Sequence, residues 1–132
     1  MYNFSFHIPT IIHFGKGTIT HLEELKDYGK KVLLVYGGGS IKKNGIYDNA
    51  IKILKDAGLE ILELSGVEPN PRIQTVREGV RICKEEKIDM VLAIGGGSTI
   101  DCAKVIAAGA KYDNDAWDLV LDGSKVNDAL PI

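Results

Sequence analysis

The densest chemistry in the chain lies in Gly95-Gly96-Gly97-Ser98-Thr99-Ile100-Asp101, directly after the apolar run Met90 to Ile94. Three glycines let a backbone turn sharply and approach a ligand without Cβ clashes. A helix that begins here offers unpaired N–H groups and the positive end of its dipole, which together suit a phosphate. Ser98 is placed to cap that helix, and Asp101, three residues on, forms the second half of a capping-box-like pair. Lys104 adds a cation one turn later. An ordinary tight, well-capped βα turn has the same composition, so this loop alone does not decide for a ligand. The dinucleotide fingerprint G-x-G-x-x-G is missing because position 100 is Ile, and no Gly-Lys-Ser/Thr follows as a Walker loop demands.

A second loop repeats the pattern. Tyr36-Gly37-Gly38-Gly39-Ser40 also joins an apolar run, Val32 to Tyr36, to a predicted helix, and Lys42 and Lys43 follow. Two such copies are too few for a repeat protein. They read as two phosphate-approach loops on one edge of one fold.

The elements that must hold these loops alternate. Val32–Tyr36 and Met90–Ile94 are continuous apolar runs, as expected of strands buried on both faces of a parallel sheet. A third strand is predicted over Leu59–Leu64. Tyr47, Ala50, Ile51, Leu54 and Ala57 form one helical face that ends at Gly58, and Ile73, Val76, Val80 and Cys83 form another. Ile19, Leu22 and Leu25 predict a helix ending near Gly29, and small residues fill a helix from about Thr99 to Ala110. Ahead of these, Phe4–Ile8 and Ile11–Phe14 read as short strands broken at Pro9-Thr10, a hairpin or an arm. The fold class is therefore α/β, a Rossmann-like layered parallel sheet flanked by helices. Its ligand edge is expected at the carboxyl ends of the strands.

Composition narrows the partners. The 132 residues are 45% hydrophobic and 26% charged, ordinary for one soluble globular domain. A net charge of −2 gives no basic field for nucleic acid. No apolar stretch approaches the roughly 20 residues needed to span a bilayer, and the start lacks a basic region followed by an apolar run, so a cytoplasmic location is expected. Cys83 and Cys102 read as reduced packing residues, and His7, His13 and His21 as structural histidines without a partnering carboxylate. Trp117 reads as an apolar anchor for the tail in preference to a cofactor shield. The β-rich start also offers a strand edge for homodimer pairing, although a folded-back hairpin fits equally well.

The string Ala93 to Lys104 resembles the G-G-G-S-x-x-D-x-A/S-K signature of iron-containing (group III) alcohol dehydrogenases. Phe14-Gly15-Lys16-Gly17, Tyr36 to Lys43, Asn44-Gly45, Gly66 to Pro71 and Ala116-Trp117-Asp118 resemble the butanol dehydrogenase branch of that family. The resemblance implies that residues 1–132 are an N-terminal dinucleotide-binding domain for NAD(P)H. In the family a C-terminal helical domain holds Fe²⁺ or Zn²⁺ through an Asp and three His, and that pattern is absent from this sequence. The implied reaction interconverts primary alcohols and aldehydes by hydride transfer, and the chain alone is expected to be inactive. Glycerol dehydrogenase and dehydroquinate synthase relatives share such a domain. A stand-alone, non-catalytic nucleotide- or phosphate-binding module is the alternative from another class.

The resemblance places Gly95, Gly96, Gly97, Ser98 and Thr99 against the cofactor pyrophosphate. It also turns Asn70 toward the cofactor and gives Asp101 a nearby ordering role. Gly37, Gly38, Gly39, Ser40 and Lys43 complete the expected cofactor contacts, with no catalytic residue and no metal ligand assigned in the chain. In many relatives an acid after the corresponding strand binds the ribose hydroxyls and repels a 2′-phosphate. No acid stands between Tyr36 and Ser40, and Ser40, Lys42 and Lys43 offer a hydroxyl and two cations instead. A 2′-phosphate is therefore expected to be tolerated; lysines that point to solvent would leave both cofactors binding alike.

Overall fold

The computed structural model describes residues 2–132. Strand β1 spans Lys31–Tyr36, β2 Glu60–Leu64 and β3 Met90–Ile94, and all pair in parallel in the order β2-β1-β3. β1 is the middle strand, which explains its unbroken apolar run. Leu33 and Val35 face one side with Leu64 and Val91, beneath helices α3 (Ile73–Glu85) and α4 (Gly97–Gly109). Val32, Leu34 and Tyr36 face the other side. There they meet Ile41 of α1 (Ser40–Lys43) and Ala50, Ile51 and Leu54 on the apolar face of α2 (Ile46–Asp56). Val32 to Val35 are fully buried, as two-sided cover requires.

The predicted helix after Ser40 is two helices. Gly45 takes a left-handed φ of 81°, and Asn44 Oδ1 accepts a hydrogen bond from Ile46 N–H at 3.1 Å, which restarts the helix. The segment Thr18–Asp27 is a 3-10 helix. Its apolar residues Ile19, Leu22 and Leu25 recur every three positions, the spacing at which 3-10 side chains eclipse. Leu22 and Leu25 pack on the cluster of Val32, Leu54, Leu59 and Met90.

The N-terminal strands are not formed. Residues 2–14 carry no regular structure, and Phe4 and Phe6 are 79% and 78% exposed, so the segment is an arm and not a hairpin. Alternation decides which way side chains face, but a ladder also needs a partner row of N–H and C=O groups. Pro9 removes one donor where a hairpin would turn. Trp117 also departs from expectation. It opens α5 (Trp117–Leu121) 43% exposed, while Ala116 and Leu119 are the buried anchors. Val91 N–H donates to Pro131 C=O at 2.9 Å, so the tail lies along the outer edge of β3. No helix among the described residues is long and apolar enough to cross a membrane.

Asp89 ties the starts of β1 and β3 together. Its Oδ2 accepts from the backbone N–H groups of Lys30 and Lys31 at 2.8 and 3.0 Å, and these bonds hold its carboxyl below the usual range. Gly29 is required beside it, because an added Cβ would lie 2.4 Å from Asp89 Cβ. A depressed carboxyl stabilises the fold above its unfolded pKa of about 3.9 and loses that contribution as pH falls through the folded value. Asp89→Asn is expected to cost about 1 kcal/mol at pH 7. The cost should shrink at acid pH, as the pH falls through the depressed folded value and the native side chain is itself protonated. Urea unfolding at neutral and at acid pH checks this, and an equal loss at both would contradict it.

Candidate functional site at the carboxyl edge of the sheet

Because β1 and β3 are neighbours with Tyr36 opposite Ile94, the two glycine loops leave the sheet side by side. The segment after β2 joins them there. Gly66 N–H donates to Gly37 C=O at 2.8 Å and Val67 N–H to Tyr36 C=O at 3.2 Å. Gly37, the residues 95–98 and the turn that carries Asn70 thus share one edge. Asn70 is exposed, between two prolines, in a left-handed conformation with φ 54°.

Thr99 locks this edge. It is the buried polar residue of the core, 6% exposed. A Cβ at Gly95 would lie 2.6 Å from Thr99 Oγ1 and 3.0 Å from its Cβ, so only glycine fits there. Gly37 is flanked on both sides, with the Val67 carbonyl 3.2 Å and Thr99 Oγ1 4.0 Å from where its Cβ would stand. Gly38, Gly39, Gly96 and Gly97 differ, since an added Cβ at any of them meets nothing within 4 Å among the described residues. Two glycines therefore serve internal packing and four border open space.

The start of α4 corrects one expectation. The N-cap is Gly96, without a side-chain cap, and Ser98 lies inside the first turn. Ser98 is not the cap because the helix begins two residues earlier than its apolar pattern implied. Ile100 N–H makes the first bond, to Gly96 C=O at 3.1 Å. The N–H groups of Gly97, Ser98 and Thr99 precede it, at the positive end of a 13-residue helix. Asp101 closes no capping box. It is exposed, its carboxylate 3.9 Å from Lys104 Nζ on the helix surface.

On the other loop, Ser40 opens α1 and Lys43 is exposed in its last residue. Lys42 does not simply extend into solvent. Its Nζ lies over the rings of Tyr36 and Tyr47, 5.5 and 4.8 Å from their centroids. Tyr36 in turn donates to Glu63 Oε1 at 3.0 Å. A cation is thereby held beside the first glycine loop. The thiols of Cys83 and Cys102 are buried and pushed up by that burial, Cys83 to about 12, which suits packing and not reactivity.

The chain's likeness to known proteins identifies its family and fold. The family profile of iron-containing alcohol dehydrogenase matches residues 9–132. The chain belongs to the iron-containing alcohol dehydrogenase family. It is 61% identical, over its whole length, to NADH-dependent butanol dehydrogenase A of Clostridium acetobutylicum and covers 34% of that protein. It is 43% identical to the NADPH-dependent aldehyde reductase YqhD of Escherichia coli, again over its full length and 34% of the relative. A crystal structure of NADH-dependent butanol dehydrogenase A from Thermotoga maritima superposes with a TM-score of 0.94 at 52% identity. That match takes in 98% of this chain and 33% of the crystallised one. The chain thus spans about a third of the length of these relatives.

One group escaped the sequence reading. His13 and His21 do have a carboxylate partner, since both approach Glu24, at 3.3 and 2.6 Å. The spacing His21-x-x-Glu24 was the available signal; the contribution of His13 depends on how the arm folds.

The division between packing and open glycines gives a direct test. Gly95→Ala is expected to cost roughly 1–3 kcal/mol by overpacking against Thr99. Gly96→Ala should stay within about 0.5 kcal/mol of the parent. Chemical denaturation of the two variants measures both, and equal stabilities would remove Thr99 as the lock.

Proposed function

We propose that this chain is the dinucleotide-binding domain of an NAD(P)H-dependent dehydrogenase that interconverts primary alcohols of the butanol type and their aldehydes. The observation that carries the proposal is the open cradle formed by Gly38, Gly39, Gly96 and Gly97 beside the free N–H groups of Gly97, Ser98 and Thr99. Backbone donors at a helix start, with no Cβ above them, fit a pyrophosphate. The names of the relatives support the substrate class and both forms of the cofactor.

Within this reading the roles divide. Gly97, Ser98 and Thr99 bind the pyrophosphate through N–H groups, Gly96 leaves room for it, and Gly95 with the Thr99 side chain holds the loop in shape. The loop from Gly37 to Ser40 takes the adenosine ribose, and Lys42 and Lys43 supply positive charge toward a 2′-phosphate. Asn70 borders the edge from the third side. Asp101 contributes at most through Lys104, since its side chain sits on the exposed helix surface.

The bound dinucleotide supplies the hydride, and the chain binds and orients it. The glycine loops carry no ligand set for the iron that the family's name implies. Among the described residues the one trio of metal-capable side chains is His13, His21 and Glu24. It stands on the arm and the 3-10 helix that precede β1, not on the loops that follow the strands.

Calorimetric titration with NADH and NADPH tests the assignment. Gly97→Val should keep the far-ultraviolet spectrum and weaken both cofactors at least about tenfold, roughly 1.4 kcal/mol. The parent should bind NADPH within about tenfold of NADH, and Gly38→Asp should weaken NADPH selectively by charge repulsion. The 132-residue chain should bind cofactor without reducing butyraldehyde, with or without added Fe²⁺ or Zn²⁺. Unchanged affinity in Gly97→Val would remove the pyrophosphate site. An unchanged NADPH affinity in Gly38→Asp would remove the 2′-phosphate site.

A further inference from the structure

The histidine pair at the root of the arm has a geometry that packing does not require. The rings of His13 and His21 stack with centroids 3.5 Å apart and planes 5° from parallel. His13 Nε2 lies 3.3 Å from Glu24 Oε2, and His21 Nδ1 lies 2.6 Å from Glu24 Oε1. All three ligand atoms fall within 4.8 Å of one another. The helix type helps to bring this about. His21 and Glu24 are three residues apart in a 3-10 helix, where such side chains eclipse, and His13 arrives from the arm before the turn at Gly15-Lys16-Gly17. Hydrogen bonding to His21, and then to His13, draws the Glu24 carboxyl below its ordinary range.

We propose that His13, His21 and Glu24 form a surface site for a divalent zinc-class cation, which fastens the arm to the 3-10 helix. Zinc bonds of about 2.0–2.1 Å to nitrogen, at tetrahedral angles, place ligand atoms about 3.3–3.4 Å apart. The His13 to Glu24 separation of 3.3 Å is already that of a tetrahedral edge. Two imidazoles and one carboxylate select a borderline ion over Mg²⁺ or Ca²⁺, which prefer oxygen ligands. Parallel rings do not both aim a lone pair at one ion, so binding must splay them. That motion is a rotation about χ2, a broad torsion, at side chains 32% and 43% exposed. Water fills the fourth position. The site belongs to the arm and its helix, so it does not depend on the dinucleotide assignment.

The test is zinc titration of the chelator-treated 132-residue chain by calorimetry at pH 7.5, with ring-proton NMR of the three histidines. One zinc per chain is expected, with a dissociation constant on the order of micromolar for three exposed ligands. His13→Ala, His21→Ala and Glu24→Gln should each weaken uptake by about tenfold or more, in step with lost first-sphere ligands. Exposed His7 is the control: His7→Ala should bind as the parent does, and only the His13 and His21 ring signals should move. Millimolar Mg²⁺ should not compete. Absence of stoichiometric uptake at 100-fold the expected constant would overturn the site. So would parent-like binding by His13→Ala and His21→Ala, which would mark the uptake as adventitious.

Discussion

The packing of Thr99 against Gly95, with Gly37 bordering the same notch, is the constraint on which the carboxyl edge of the sheet depends. A buried threonine side chain fills the notch between the first turn of α4 and the ends of β1 and β3. With that notch filled, the loops cannot collapse on each other, and their remaining glycines stay open above it. The same side chain explains why the loop does not follow the G-x-G-x-x-G pattern. In that fingerprint the last glycine allows close helix–strand packing. Here position 100 is an exposed Ile, and the close approach occurs instead between Thr99 and Gly95.

Thr99 can act this way only because the sheet puts β3 beside β1. A central strand covered on both faces fixes the layer order, and right-handed crossovers then carry every connecting helix back across the sheet. The carboxyl ends of neighbouring strands become neighbouring helix starts. The clamp of Asp89 on Lys30 and Lys31 secures the opposite end of the same strand pair. The strand pair is thus fixed by hydrogen bonds at its start and by side-chain packing at its finish.

Much of this was legible in the residues. Val32–Tyr36 and Met90–Ile94 announced two-sided burial, and the paired Gly-Gly-Gly-Ser strings marked the two loops that leave the sheet side by side. Three things were not legible. Phe4–Ile8 has the alternation of a strand, but a strand exists only where a partner row meets it, and none does among the described residues. Gly95 and Gly96 are the same residue type in one loop, yet one is enclosed and the other open, a distinction made by where Thr99 packs. Ser98 looked like a cap because the apolar pattern of α4 begins late, whereas its hydrogen bonding begins at Gly96. The approach of His13 to Glu24 likewise rests on the path of an irregular segment, which no periodicity encodes.

The first loop of this edge carries no acid and keeps a lysine over two tyrosines. The central claim is that the two glycine loops act as one cradle, and amide NMR of the labelled chain during NADH titration addresses it most directly. The account predicts that the amides of Gly38, Gly39, Gly96, Gly97 and Ser98 shift together and saturate with one dissociation constant, while those of Asp89 and Lys30 at the far end stay still. Shifts confined to one loop, or two loops saturating at different NADH concentrations, would contradict it.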